Sequence, residues 1–184
     1  QARTSFLMVG TIEPRKGHAQ TLAAFEQLWQ RGVAVNLVLV GKSGWMVEAL
    51  EQQLRQHPQN GQHLFWLEGI SDEYLEQVYQ ACACLLASSE GEGFGLPLIE
   101  AAQHHLPIVA RDLPVFREVA GAHAYYFDGL TAHDLAAAIE RWLALHASGQ
   151  HPPSHAMPWL TWQASAAQLL QSLLPAPAAC VADI

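Results

Sequence analysis

The sequence predicts an α/β domain, a parallel sheet of about six strands with helices on both faces. Three observations carry this expectation. Short apolar runs alternate with stretches of helical periodicity along nearly the whole chain. The runs are continuously apolar, as in VNLVLV at residues 35–40, rather than alternating, and a strand covered on both faces has that pattern. Most of the glycines, and four of the nine Lys and Arg residues, follow the apolar runs, where open α/β sheets bind their ligands.

The elements follow in order. Residues 5–9 (SFLMV) form a short strand, and GTIEPRKGHAQ is the loop after it. Leu22, Phe25, Leu28 and Trp29 make the apolar stripe of a helix over 18–31, which Gly32 ends. The strand at 35–40 leads through GKSG into a helix over 45–56 carrying Val47, Leu50 and Leu54. A third strand spans 63–67. Ser71 is a good N-cap for a helix to about Gln80, with Asp72 and Glu73 in its first turn. Residues 83–87 form the fourth strand, 107–110 the fifth and 124–127 the sixth. RDLPVFREVAG reads as a loop with a short helix, 131–146 as a long helix and 159–174 as a last one. The tail 175–184 is expected to be frayed, which leaves one domain over 1–174.

Composition narrows the function. The chain has 184 residues, 51% hydrophobic and 14% charged, enough apolar material for a core and too much for disorder. It holds no uninterrupted apolar run of transmembrane length. A net charge of −8 argues against nucleic-acid binding. Cys82, Cys84 and Cys180 are odd in number and unpatterned, which fits a reducing compartment, and the first two are expected as buried thiols on one strand. The ten histidines lack metal-ligand spacing, so no metal is expected. The first residues enter a strand at once without a signal-peptide pattern, which suggests a start at a domain boundary of something longer.

The chain is organised around residues 83–105, ACLLASSEGEGFGLPLIEAAQHH. A strand runs into a loop of three glycines with Glu90 and Glu92, and then into a helix. Pro97 suits the first helical position and Glu100 its first turn. Such a junction aims free N–H groups and a helix dipole at an anion. Carboxylates, by contrast, accept hydrogen bonds from hydroxyls. A ligand both phosphorylated and rich in hydroxyls, such as a nucleotide sugar, satisfies both.

Two stretches are specific: VGTIEPRKGH at 9–18 and EGFGLPLIEA at 92–101, with Glu92 and Glu100 seven residues apart. Together they resemble the donor domain of the retaining family-four glycosyltransferases, one Rossmann-like half of the GT-B fold. FWLEGISDEYLEQVYQACACLLASS, LPIVARDLPVFREVAG and WLTWQASAAQLLQSLL are similar to that family's following segments. The last is its closing helix, which packs back toward the partner domain.

By that resemblance, Arg15 and Lys16 neutralise the donor's diphosphate, for which a guanidinium and an ammonium are suited. Glu100 accepts from ribose hydroxyls, and Glu92 lies near the transferred sugar. Gly93, Phe94, Gly95 and Leu96 offer backbone to sugar and phosphate. Gly10 and Thr11 border the diphosphate, Lys42 and Gly44 the nucleoside, and Ile70 the base. Glu90 is left to solvent. Trp45 and Trp66 are expected in the core rather than stacked on a base. The first loop lacks the G-x-G-x-x-G of a dinucleotide site, and G-F-G-L-P is no Walker loop.

The resemblance therefore implies transfer of a sugar from a nucleotide diphosphate to a hydroxyl, without cofactor or metal. Its Pro-Arg-Lys-Gly loop points to GDP-mannose and bacterial surface polysaccharide, in the cytoplasm or at the inner face of the membrane. The partner is an N-terminal acceptor domain absent from this chain, so the chain alone turns over little or nothing. A sugar-nucleotide epimerase or hydrolase, or a non-catalytic nucleotide-binding domain, are the other readings.

Overall fold

The computed structural model describes residues 3–174. Among these residues six strands form one all-parallel sheet: β1 (Thr4–Val9), β2 (Val35–Val40), β3 (Leu64–Leu67), β4 (Cys84–Ala87), β5 (Ile108–Arg111) and β6 (Tyr125–Phe127). Their order is β3-β2-β1-β4-β5-β6. The chain therefore winds outward one way from β1 and returns to wind the other way from β4. The crevice between the carboxyl ends of β1 and β4 is the switch point at which such sheets bind ligands.

Among the described residues seven α-helices accompany the sheet: α1 (His18–Gln30), α2 (Glu48–Gln56), α3 (Asp72–Ala81), α4 (Leu96–Gln103), α5 (Pro114–Ala120), α6 (Ala132–Ala147) and α7 (Trp162–Leu173). Successive strand residues feed opposite faces. Phe6 and Met8 pack with Leu22, Phe25, Ile139 and Trp142 under α1 and α6. Leu7 packs with Tyr79, Leu98, Ala101 and Phe116 under α3, α4 and α5. Both faces are thus apolar and covered, which is why the strands read as unbroken apolar runs.

Local chemistry sets the helix starts. Ser71 accepts from the Tyr74 N–H at 3.3 Å. Thr131 and Asp134 form a reciprocal capping box on α6. The expected start of α2 at residue 45 is corrected to Glu48. Residues 42–44 pair with the first loop instead: Lys42 accepts from Ile12 N–H and Ile12 from Gly44 N–H, each at 3.0 Å. Met46 adopts a φ of 53°, which breaks helical continuity. The last helix starts at Trp162, not residue 159, because Thr161 caps it by accepting from Ala164 N–H. Cys82 is the C-cap of α3 and only partly buried, so it does not share a strand with buried Cys84. Cys180 and the expected tail lie outside the described residues.

Candidate functional site

The first loop closes onto the fourth strand through one glycine. After a 3-10 turn at Pro14–Lys16, Gly17 takes a left-handed φ of 75° and starts α1. A Cβ there would lie 2.3 Å from the Ser88 carbonyl oxygen, so only glycine lets the two segments meet without a shift. They are laced by Thr21 Oγ1 to Ser88 Oγ at 2.8 Å and by Glu90 N–H to the Arg15 carbonyl at 2.7 Å. Sequence neighbours Arg15 and Lys16 are thereby set beside Glu92, which lies 76 positions beyond Lys16.

The Lys16 ammonium donates to Glu92 Oε2, and Gly93 N–H donates to Oε1 at 3.0 Å. Arg15 lies 3.6 Å from Glu92 and 2.9 Å from Glu13, and it donates to the Gly91 carbonyl at 3.1 Å. Burial pushes the Glu92 carboxyl up, but Lys16, Gly93 and Arg15 together outweigh it and hold Glu92 below its ordinary range. Lys16 and Glu92 are largely shielded while Arg15 is half exposed. The cluster thus offers one accessible guanidinium and one ammonium already oriented by a carboxylate.

α4 begins differently from the expectation. Gly95, at φ 96°, is its N-cap and Leu96 its first residue, so Pro97 is second and Glu100 lies in the second turn. A Cβ on Gly95 would lie 2.9 Å from the Phe116 ring, so this left-handed N-cap position favours glycine. Pro97 has no N–H, and Leu98 N–H bonds the Gly95 carbonyl at 2.9 Å, so Leu96 supplies the remaining N–H of that first turn. Phe94 and Leu96 are exposed.

Glu100 has a partner that the sequence did not announce. Tyr79 Oη, from α3, donates to its Oε2 at 2.6 Å, and the Tyr79 ring stacks on His104 at 4.9 Å. Burial and the adjoining carboxylate push the Tyr79 hydroxyl far above its ordinary pKa, so it remains a donor. Glu100 lines a groove of about 620 Å³ with Phe94, Leu96, Trp159 and Trp162. Glu92 instead lines a small cavity with Lys16, His18, Ser88, Ser89 and Gly95. His18, the first residue of α1, is 4% exposed, and its Nδ1 has no hydrogen-bond partner. Burial first, and Lys16 second, lower its pKa to about 4 against the pull of the Glu13 carbonyl.

The structure brings Arg15, Lys16, Glu92 and Gly93 together and sets Glu100 beyond them on α4. Gly10 and Thr11 border the same loop, although Gly10 N–H is already bonded to the Val40 carbonyl at 2.9 Å. Lys42 is exposed and stands apart at the end of β2, with Gly44. Ile70 follows β3 and packs against the second core. Trp45 is 56% exposed, which corrects its core assignment; Trp66 is half-buried, covered by the Arg55 guanidinium. Arg111 is the end of β5, not a loop cation. It is buried, and its donors go to the carbonyls of Ser88, Ser89 and Gly129 and to Gln20. Sequence reading left His18 and Tyr79 without roles. His18 at least stood within a quoted loop motif, whereas only packing reveals Tyr79.

The family described as Glycosyl transferases group 1 matches residues 2–152. The chain belongs to that family. The serotype-specific mannosyltransferase WbdA of Escherichia coli is 56% identical over 179 residues, covering 97% of this chain and 22% of that protein. The O-antigen chain mannosyltransferase B of the same organism is 32% identical over 135 residues, covering 70% of this chain and 35% of that one. Among solved structures, the C-terminal domain of a group 1 glycosyl transferase family protein (LpcC) from Francisella tularensis superposes with a TM-score of 0.70. That alignment covers 84% of this chain and 82% of that one at 17% identity, which establishes the shared fold. The chain thus spans about a fifth of the length of the WbdA proteins it matches, and this group 1 glycosyltransferase domain has the expected half of a GT-B architecture. No described helix is long and apolar enough to cross a membrane.

Proposed function

We propose that this chain is the donor-binding domain of a retaining mannosyltransferase that takes mannose from GDP-mannose and passes it to a hydroxyl of a growing surface polysaccharide. One observation carries the reading: Arg15, Lys16 and Glu92 meet at the switch point of the sheet, in front of α4. The mannosyltransferase names of the relatives support the sugar. Arg15, Lys16 and the Leu96 N–H take up the charge that develops on the departing diphosphate, a task that fixed donors perform without reorganising. In this reading no metal is needed, because the two side-chain cations supply the charge.

Glu92 faces the transferred sugar from beside Lys16. Glu100, with Oε2 held by Tyr79, turns its remaining lone pairs to the ribose hydroxyls. Gly93, Phe94 and Gly95 let the donor approach the loop backbone, Gly10 and Thr11 border the diphosphate, and Lys42, Gly44 and Ile70 flank the nucleoside and base. The acceptor is held by a further domain of a longer protein. That domain covers α7, whose Trp162, Leu169, Leu170 and Leu173 are all more than half exposed. We place the reaction in the cytoplasm, at the inner face of the membrane.

Calorimetry with UDP, GDP, ADP and their sugars tests this. The expected result is selective binding of GDP and GDP-mannose. Binding of none of the panel overturns the reading, and binding of another base or sugar overturns the donor assignment.

A further inference from the structure

The small cavity beneath the glycine loop is lined by one group, His18, to which the diphosphate reading gives no role. His18 forms one wall, and its Nδ1 is buried without a hydrogen-bond partner. A buried polar atom in that condition is costly and calls for an explanation. Lys16, Glu92, Ser88 and Ser89 line the same space. Its volume of about 20 Å³ admits one water-sized group.

Charge selects what that group is. The Glu92 carboxylate repels a phosphate oxygen, which finds Arg15 on the open side instead. Burial, and after it Lys16, oppose a proton on the ring, so the imidazole stays neutral at ordinary pH. A donor (Lys16), an acceptor (Glu92) and a neutral imidazole line this one small space, among apolar side chains such as Leu86, Leu98 and Phe116. A hydroxyl, which both donates and accepts, matches all three.

We propose that His18 is a further binding residue of the donor pocket and holds one hydroxyl of the transferred sugar through Nδ1. This rests on the donor-binding reading of the site. The hydroxyl enters beside Glu92 and satisfies the unpaired nitrogen. Sugar recognition is thereby separated from diphosphate recognition: His18 and Glu92 read the sugar, and Arg15 and Lys16 read the phosphates.

The test is calorimetry of this chain with GDP-mannose and with GDP. His18→Phe keeps a ring in place but removes both nitrogens. It should weaken GDP-mannose about tenfold and leave GDP unchanged. His18→Asn carries an amide at the δ position and should recover most of the loss; His18→Gln, polar at the ε position, should not. Equal weakening of both ligands, or of neither, overturns the inference while the donor reading stands. Should the Phe variant fail to fold, Asn and Gln variants that bind GDP-mannose equally overturn it in the same way. A native chain that binds no nucleotide sugar overturns the donor reading and this inference together.

Discussion

His18 ties the stability of the domain to pH with a definite sign. Its ring titrates at about 4 in the folded chain, against an ordinary 6.5. Above 6.5 the ring is neutral in both states and contributes no pH dependence. Between 6.5 and 4 the unfolded chain takes up a proton that the folded chain refuses, so stability falls as pH falls. Below 4 both states are protonated and the loss is complete. The gap is about 2.5 pKa units, and at about 1.4 kcal/mol per unit the loss reaches about 3 kcal/mol. That is a large part of the roughly 5–15 kcal/mol by which domains are stable. Urea unfolding of the native chain and of His18→Asn from pH 7.5 to 4 isolates it, because the carboxylates titrate alike in both. The stability difference between the two should shift by about 3 kcal/mol across that window, to the relative advantage of the variant in acid. Parallel profiles would refute the assignment of a buried, neutral imidazole.

Three other outcomes are expected. Arg15→Ala with Lys16→Ala should weaken GDP tenfold or more in calorimetry, since charge-assisted contacts contribute about 1.5–3 kcal/mol each, and should let Glu92 titrate closer to its ordinary range. Tyr79→Phe removes the 2.6 Å bond to Glu100; it should lower stability by about 1–2 kcal/mol and weaken GDP several-fold, with 2′,3′-dideoxy-GDP unaffected, and equal losses for both would separate Glu100 from the ribose. Addition of a chelator should leave GDP binding unchanged, and a strict divalent-metal requirement would mean that the phosphate site is built differently.

Glu100 shows how structure alters a sequence argument. Placed in the first turn of α4, its charge would act on the helix dipole. In the second turn, bonded to Tyr79, it acts instead as a side chain positioned by α3. A one-residue difference in the helix start changes which physical effect a Glu100 substitution reports. The bond from Tyr79, 21 positions earlier on α3, is one that no local pattern encodes.

The sequence by itself determined the layered α/β class, the position of every strand to within about a residue and the two loops to which we assign the chemistry. These follow from periodicity, capping residues and glycine placement, all local properties of the chain. Only the tertiary structure decided which of those loop residues meet. Strand order places the β1 loop against the β4 loop, and Gly17 on Ser88 closes the gap, so Lys16 reaches Glu92. The same packing buries His18 Nδ1 without a partner, spends Arg111 on loop carbonyls and leaves Trp45 in solvent. Burial and partnership are sums over distant segments, and residue type alone does not specify them.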